Sequence, residues 1–582
     1  MGSGKIIIDI GASYINLSNS GPTLQVKQAI KGTEGWRMLA APDNVNVGSM
    51  FASPFVTQGF TGSSYPSLQP NLMWWDETSQ GTSLQAWRKD SVAVKLGRGY
   101  MYYVFNGAQL ADNSGPYSDV LPLTMTATGT ENPLNPTAFD FSVTATTRSG
   151  SETTPNYVDI NSADYGWNLV GNPTPSTIDW NSSSGWTKTN MDGTIYIWDP
   201  ATSSYKTWNG TTGNLGSGKI APFQAFWVKA NASSPSLKGD NGVKTSGGSF
   251  LGKIAARNSK LASASSDSTE KKSMSIAKSA SLAGSTSVKS DSTIAASTPI
   301  LELVLSANGQ QTQAYLMFSH SGKISYDPFD AFSLIPISEK YLILYSVAGT
   351  DQPALQIQNL PDTGLVGPLS LPLYVGGAVS GQPLSGSFTL SWKFDGQLPK
   401  GWNIILNDDA SGTATSMTET GELTFQYTTP ADLISSGSSL LQKNSGVRSD
   451  QRSFLTLPRP VVQTVPVVKL AKSSTSTSRF RLVVSTNNDV SGYLPTSPQL
   501  AQNYPNPFNP TTNITFSIPT QTRVTILVFN ILGQQVAKVT DQEYPAGSHL
   551  VVWNASNVAS GVYFCRMTAA EKTQTKKMVV LR

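Results

Sequence analysis

Apolar side chains in this chain recur at every second position, in short runs separated by turn-forming residues. Ile514, Phe516 and Ile518 alternate with polar neighbours, as do Val524, Ile526 and Val528, which is the period of a strand with one buried face. Turn signals follow at Gly533, Pro545-Ala546-Gly547 and Ser560-Gly561. They delimit strands near 513–518, 522–530, 534–540, 548–554, 561–569 and 574–581, enough for a small immunoglobulin-like sandwich. The same habit marks 300–305, 314–318, 341–345, 355–357, 388–392, 402–406, 423–427 and 479–484. The expectation is an all-β chain of several immunoglobulin-like β-sandwich modules joined by Ser/Thr-rich linkers.

At 582 residues and 38% hydrophobic composition, three or four domains with real cores are expected. Only 13% of residues are charged and the net charge is +4, a balance typical of exported, turn-rich β proteins. The basic residues are scattered, so no nucleic-acid groove is expected. No apolar run reaches eighteen residues, and no transmembrane segment is expected. Cys565 is the single cysteine, which excludes an intramolecular disulfide and reads as a small buried hydrophobe.

An internal repeat occupies 35–250, as units 35–160 and 161–250. Gly35-Trp36-Arg37-Met38-Leu39-Ala40-Ala41-Pro42 returns as Gly166-Trp167-Asn168-Leu169-Val170-Gly171-Asn172-Pro173. Leu72-Met73-Trp74-Trp75-Asp76 returns as Ile195-Tyr196-Ile197-Trp198-Asp199, and Gly99-Tyr100-Met101-Tyr102-Tyr103-Val104 as Pro222-Phe223-Gln224-Ala225-Phe226-Trp227-Val228. Ten of the thirteen tryptophans fall here. Those at repeated positions beside Leu or Val (Trp36, Trp75, Trp167, Trp198 and Trp227) are expected in the core. Trp74, Trp87, Trp186 and Trp208 stand in more polar settings and are the candidate ligand contacts.

Residues 1–34 read as the truncated end of an upstream β region, 251–298 as a flexible Ser/Ala/Lys linker, 299–485 as a β-sandwich and 486–500 as a second linker. A Ser-rich stretch at 435–452 is expected as an exposed loop. In the turn Leu406-Asn407-Asp408-Asp409-Ala410-Ser411-Gly412, the two aspartates could bind calcium with backbone oxygens, although Asp-rich turns are commoner than calcium sites.

The last segment, 501–582, carries a family pattern. Gln502-Asn503-Tyr504-Pro505-Asn506-Pro507-Phe508-Asn509-Pro510 is followed in order by Leu532-Gly533-Gln534, Ala546-Gly547, Trp553, Ser560-Gly561-Val562-Tyr563 and Lys576-Lys577-Met578-Val579-Val580-Leu581. This resembles the C-terminal sorting domain of type IX secretion cargo. The residues carrying the resemblance are Tyr504, Pro505, Asn506, Pro507, Phe508, Asn509, Pro510, Gly533, Gly547, Trp553, Gly561, Tyr563, Lys576 and Lys577. It implies export through the periplasm to the outer surface or the medium. It also implies recognition by the secretion machinery, cleavage by its C-terminal signal peptidase and, in some cargo, attachment to surface lipopolysaccharide. The prolines fix their own φ and push each preceding residue toward extended geometry, so the lead-in is expected to be a stiff spacer ahead of the fold. Cleavage is expected around 485–499. Such cargo needs a signal peptide, which residues 1–10 do not resemble, so a fragment of a larger protein is expected.

Of two histidines, His549 lies in the sorting segment and His320 in a Ser-Gly turn. No nucleophile elbow, zinc motif or phosphate loop occurs; Asp76, Asp179 and Asp199 lie beside tryptophans, but Asp76 and Asp199 recur at equivalent repeat positions before loops, which suits turns better than chemistry. No enzymatic activity, cofactor or metal is expected. The reading is a secreted or surface structural or adhesive protein. The alternatives are carbohydrate-binding modules of a larger secreted enzyme, with surface glycans as ligands, and a carboxylate-dependent glycoside hydrolase.

Overall fold

The computed structural model describes residues 6–18, 22–32, 35–43, 50, 55–57, 59–63, 70–78, 87–89, 94–104, 121–132, 134, 137–146, 166–252, 298–338, 340–347, 353–365, 367–410, 413–417, 420–438, 478–485, 497–503, 505–519, 522–544 and 547–581. Strands dominate them. Both linkers, apart from a few flanking residues, lie outside the described residues, as does Tyr504.

The repeat folds into two four-stranded sheets of one design. The first sets Gly35–Leu39, Tyr100–Val104, Leu72–Trp75 and Trp87–Lys89 side by side; the second sets Trp167–Gly171, Ala225–Lys229, Ile195–Asp199 and Ser204–Trp208. In each, the strand that comes first in the chain pairs with the fourth, then the second and third follow. Registers correspond as well: Trp36 faces Tyr103 as Trp167 faces Lys229, and Leu39 faces Tyr100 as Val170 faces Phe226. The sheets grip each other reciprocally. Leu39 bridges Gln224 while its counterpart Val170 bridges Arg98. Ala40 N donates to Phe223 O at 2.9 Å while Gly171 N donates to Gly97 O at 2.9 Å. This is the geometry of an isologous dimer built within one chain. Gly171 permits the approach, since a Cβ there would stand 2.2 Å from that of Ala40.

Between the sheets Trp36, Met38 and Met101 pack on Trp167, Leu169, Trp198 and Trp227. Trp75, Trp87 and Trp227 meet edge to face in all three pairings, at 5.3, 5.6 and 5.9 Å, an arrangement each ring quadrupole favours. The first strands join this body. Ile6–Ile8 runs parallel to Thr23–Ile30, which pairs antiparallel with Leu123–Thr130. Ile8, Leu24, Val26 and Ile30 then share a core with Leu39, Tyr100, Phe223 and Phe250.

Asp43 is buried beside this region, and neither carboxylate oxygen accepts a hydrogen bond. Burial alone pushes its carboxyl from the ordinary 3.8 up to about 7. The folded chain therefore holds this proton more tightly than the unfolded chain. The stability that it contributes is full below 3.8 and lost as pH rises through about 7. Asp43→Asn is expected to flatten that fall. Thermal melts at about pH 4 and about pH 8 would read it, and an equal drop for both proteins would count against the assignment.

The second module is one continuous sheet. Its path runs Thr413–Ser416, Asn403–Asp408, Phe480–Ser485, Leu369–Val379, Lys340–Ser346, Leu355–Pro361, Gln310–Ser319, Ile300–Ala307, Ser385–Asp395 and Gly421–Thr428. The strands bury one face into a single cluster that includes Leu303, Phe318, Leu371, Phe388, Trp392, Leu406 and Leu482. The two layers are thus halves of one curled sheet. Part of the expected 435–452 loop is instead the end of a helix, Ala431–Ser438, whose Leu433 and Ile434 cover Tyr341, Tyr345 and Tyr374 on the opposite face.

Residues 326–332 stitch this module to the repeat. Tyr326 Oη donates to Asp192 Oδ2 at 2.6 Å, Gly193 N to Pro328 O at 2.9 Å, Asn209 Nδ2 to Phe329 O at 2.7 Å and Phe332 N to Tyr196 Oη at 2.8 Å. Asp330 accepts from Asn359 N at 2.6 Å and Asp327 N at 2.8 Å. Burial raises the carboxyls of Asp192, Asp327 and Asp330, and backbone or side-chain donors oppose that rise at each of them.

Asp408 and Asp409 do not form an open oxygen cage. Asp408 is held by Arg479 at 2.8 and 2.9 Å, and Asp409 by Arg481 at 2.6 and 2.8 Å. Arg479 and Arg481 stand two positions apart, and each meets one of the consecutive aspartates. Four carboxylate oxygens are thereby occupied by guanidinium donors.

Candidate sorting site

The terminal module has two sheets: Gln499–Leu500, Thr511–Ile518 and Gly547–Asn554 in one, and Gln535–Tyr544, Thr522–Asn530, Gly561–Ala569 and Lys572–Val580 in the other. Ile514, Phe516 and Ile518 meet Val524, Ile526 and Val528 in the common core, completed by Met567, Met578 and Val580. Cys565 is buried there, its thiol pushed up to about 12 by desolvation.

The Pro-rich lead-in is part of this fold, where a spacer ahead of it was expected. Phe508 lies parallel to Val580; its N–H donates to Val579 O at 3.0 Å, and Leu581 N donates to Phe508 O at 3.0 Å. Asn506 supports the pairing with both ends of its amide. Oδ1 accepts from Val579 N at 2.8 Å, and Nδ2 donates to Lys577 O at 3.2 Å. Gln502 Nε2 donates to the same carbonyl at 2.7 Å. Proline removes main-chain donors but leaves carbonyls free to accept: Pro505 O takes Thr512 Oγ1 at 2.8 Å and Asn503 Nδ2 at 3.1 Å, and Pro510 O takes Ala555 N at 2.8 Å. The ring of Phe508 is buried edge to face on Trp553 at 5.5 Å, which in turn meets Tyr563 at 5.8 Å. Tyr563 Oη donates to Ala559 O at 2.7 Å.

One locus therefore gathers residues that stand far apart in sequence: Pro505, Asn506, Pro507, Phe508, Asn509, Pro510, Trp553, Tyr563, the Lys577 carbonyl and Gly561, which pairs with Val580. Lys576 and Lys577 face Cys565 and Phe564 across the last two strands. Gly533 and Gly547 are placed elsewhere. Gly533 takes φ 77° in the turn that Asn530 closes, and Gly547 faces Ile518 in the other sheet. Gln502 and Asn503 open the pattern read in the sequence, whereas the parts played by Thr512 and Gln574 were not anticipated from it. Gln574 accepts from Leu500 N at 2.7 Å and donates to Pro498 O at 2.7 Å.

Residues 502–581 match the family model described as secretion system C-terminal sorting domain. They form a type IX sorting domain. It directs the chain through the periplasm to the cell surface or the medium and engages the secretion machinery. No curated protein matches the chain. Among solved structures it is similar to a β-glucuronidase of Parabacteroides merdae (10% identity, 34% of this chain and 28% of that one, TM-score 0.12). It is also similar to a β-1,2-glucanase of Parabacteroides distasonis (10%, 43% and 38%, TM-score 0.12) and to dimeric latent PorU of Porphyromonas gingivalis (11%, 49% and 29%, TM-score 0.14). The chain spans between 28% and 38% of their lengths, and likeness at these scores carries no argument. On the surface of the sorting domain the turn tip Ile531-Leu532 and Phe564 are exposed, and Arg566 lies 4.0 Å over the Phe529 ring.

The four candidate ligand tryptophans divide. Trp87 is buried against Trp75 and Trp227, which corrects its expected role as a contact: its polar neighbours Arg88 and Lys89 are exposed while its own ring is packed in the core. Trp74 is half-buried beneath the Arg98 guanidinium at 3.7 Å. Trp186 and Trp208 are half-buried on the flanks of one turn, with Nε1 bound to Asp179 O at 2.7 Å and Asn181 Oδ1 at 2.9 Å. Lys188 Nζ lies 3.7 Å over Trp180, and desolvation lowers its pKa to about 8 against the pull of Asp179.

Proposed function

We propose that the part of the chain ahead of the sorting domain is a structural or adhesive surface protein that performs no catalysis of its own. The observation that carries this reading is how its tryptophan-flanking carboxylates are used. Asp76 caps Thr78 and pairs with Arg88 at 3.2 Å. Asp179 caps Asn181, and Asp199 binds Ala201 N and Thr202 Oγ1. Each holds the end of a strand in place, the role of an Asx turn. His320 is exposed, with Nδ1 3.3 Å from Asp362 Oδ1. Surface glycans and lipopolysaccharide are the partners this reading favours, with Trp186 and Trp208 as the rigid aromatic contacts.

The test displays the full chain on a type IX-competent host and measures adhesion to glycan-coated surfaces beside polysaccharide hydrolysis. Adhesion above that of non-displaying cells, reduced by replacing Trp186 and Trp208 together with alanine, is expected. Hydrolysis abolished by Asp199→Asn, without a gain in adhesion, would overturn the reading.

A further inference from the structure

Three distant segments meet at one buried carboxylate. The side chains of Glu131 and Lys244 are both fully buried, with Lys244 Nζ 3.2 Å from Glu131 Oε1. The other oxygen, Oε2, accepts from the side-chain amide Nδ2 of Asn16 at 2.8 Å. Lys244 Nζ also donates to the backbone carbonyl of Asn16 at 2.7 Å, so the amine stands against the residue whose amide shares its carboxylate. The side-chain carbonyl Oδ1 of Asn16 accepts from Ser18 N at 2.9 Å and from Ser18 Oγ at 2.7 Å.

Taken as chemistry, this is a desolvated amine, a carboxamide whose oxygen is held by two donors, and a carboxylate touching both. Desolvation lowers the Lys244 pKa while Glu131 works against that fall, and a buried ion pair keeps a standing desolvation cost. Passing one proton within the pair leaves a neutral amine and a neutral acid, which relieves that cost and creates a nucleophile. Two fixed donors on the carbonyl oxygen are what an acyl transfer needs where negative charge develops.

We propose that Lys244 and Asn16 join in an amide cross-link, with Glu131 carrying the protons. Nζ first gives a proton to Glu131 and then attacks Cγ of Asn16, while Oδ1 takes the charge between the Ser18 donors. Glu131 delivers its proton to Nδ2 and receives the next one from Nζ. The Nζ–Cγ bond is made, the Cγ–Nδ2 bond breaks, and Nδ2 leaves as ammonia, which takes up the proton that Glu131 has just received. A lysine ammonium and a primary amide become a secondary amide and an ammonium ion, with no oxidant or cofactor required. The product would fasten the segment after Ile6–Ile8 to the strand Lys244–Thr245, in a chain whose lone cysteine excludes a disulfide there.

The test is the intact mass and peptide map of the full chain, purified and denatured. The expected mass is below the sequence mass by one ammonia, with a branched peptide holding Asn16 and Lys244. Glu131→Gln should restore the sequence mass. Asn16→Asp, nearly isosteric, should lose one water in place of one ammonia. Wild-type chain at its full sequence mass, with Asn16 and Lys244 recovered in linear peptides, would show a static ion pair and overturn the proposal. Unchanged cross-linking in a folded Glu131→Gln variant would remove Glu131 from the chemistry and overturn its assigned part.

Discussion

Deleting residues 578–582 is expected to abolish surface delivery as completely as deleting the sorting domain whole. The short deletion removes the buried side chains of Met578 and Val580, worth about 1.5–3 kcal/mol each when buried. It also removes the Val579 and Leu581 main-chain groups that hold Phe508, so the aromatic contact of Phe508 with Trp553 loses its anchor. The sum, about 5 kcal/mol or more, approaches the whole stability of a small domain. The measurement is localisation by fractionation and surface protease accessibility, with a Sec signal fused to each variant. Lys577→Ala is the control, since it keeps the carbonyl that Gln502 and Asn506 use and should leave the domain folded. Export of the short deletion at the level of the full chain would show that the lead-in pairing is no part of the signal.

Arg479→Ala is expected to cost the second module about 3–5 kcal/mol, the usual result of stranding one partner of a buried ion pair. Asp408 is 4% exposed at its side chain and both of its oxygens rest on Arg479. The guanidinium also lies 4.7 Å over Phe425 and 5.1 Å over Phe480, and Nη1 donates to Gln426 O at 2.8 Å. Replacement therefore removes packing as well as charge. Chemical denaturation of the full chain, followed through a probe in the second module, would read the loss. The double variant Arg479→Ala with Asp408→Ala should recover part of it, because the stranded carboxylate is gone. A single variant within about 0.5 kcal/mol of wild type, the range of ordinary surface changes, would refute the assignment.

Strand positions were legible wherever one face alone is buried. All six strands expected in the terminal module occur, each within a few residues, because its sheets face core on one side and solvent on the other. The strand Leu369–Val379 left no such mark. Pro372 and Gly376-Gly377 interrupt it, and most of its residues are buried on both faces, so alternation disappears. The repeat could be read from its tryptophans, but the reciprocal bridging of its sheets rests on main-chain contacts at Ala40, Gly97, Gly171 and Phe223, which side-chain patterns do not encode. The sorting motif likewise showed which residues matter in that family, while its closure onto the last strand depends on Asn506 and Gln502, whose side chains reach main-chain atoms about seventy residues away.

The reciprocal pairing of the two aromatic sheets also bears on transit. A single copy would present a face of tryptophan, methionine and tyrosine that is broad enough to seek a second molecule. In a crowded periplasm such a face invites clumping before the outer membrane is reached. With both copies on one chain, the neighbour is always present at high effective concentration, and each sticky face is covered before it can meet another molecule. Tandem duplication thus supplies the covering surface from within the chain, so that neither aromatic face waits for a second molecule.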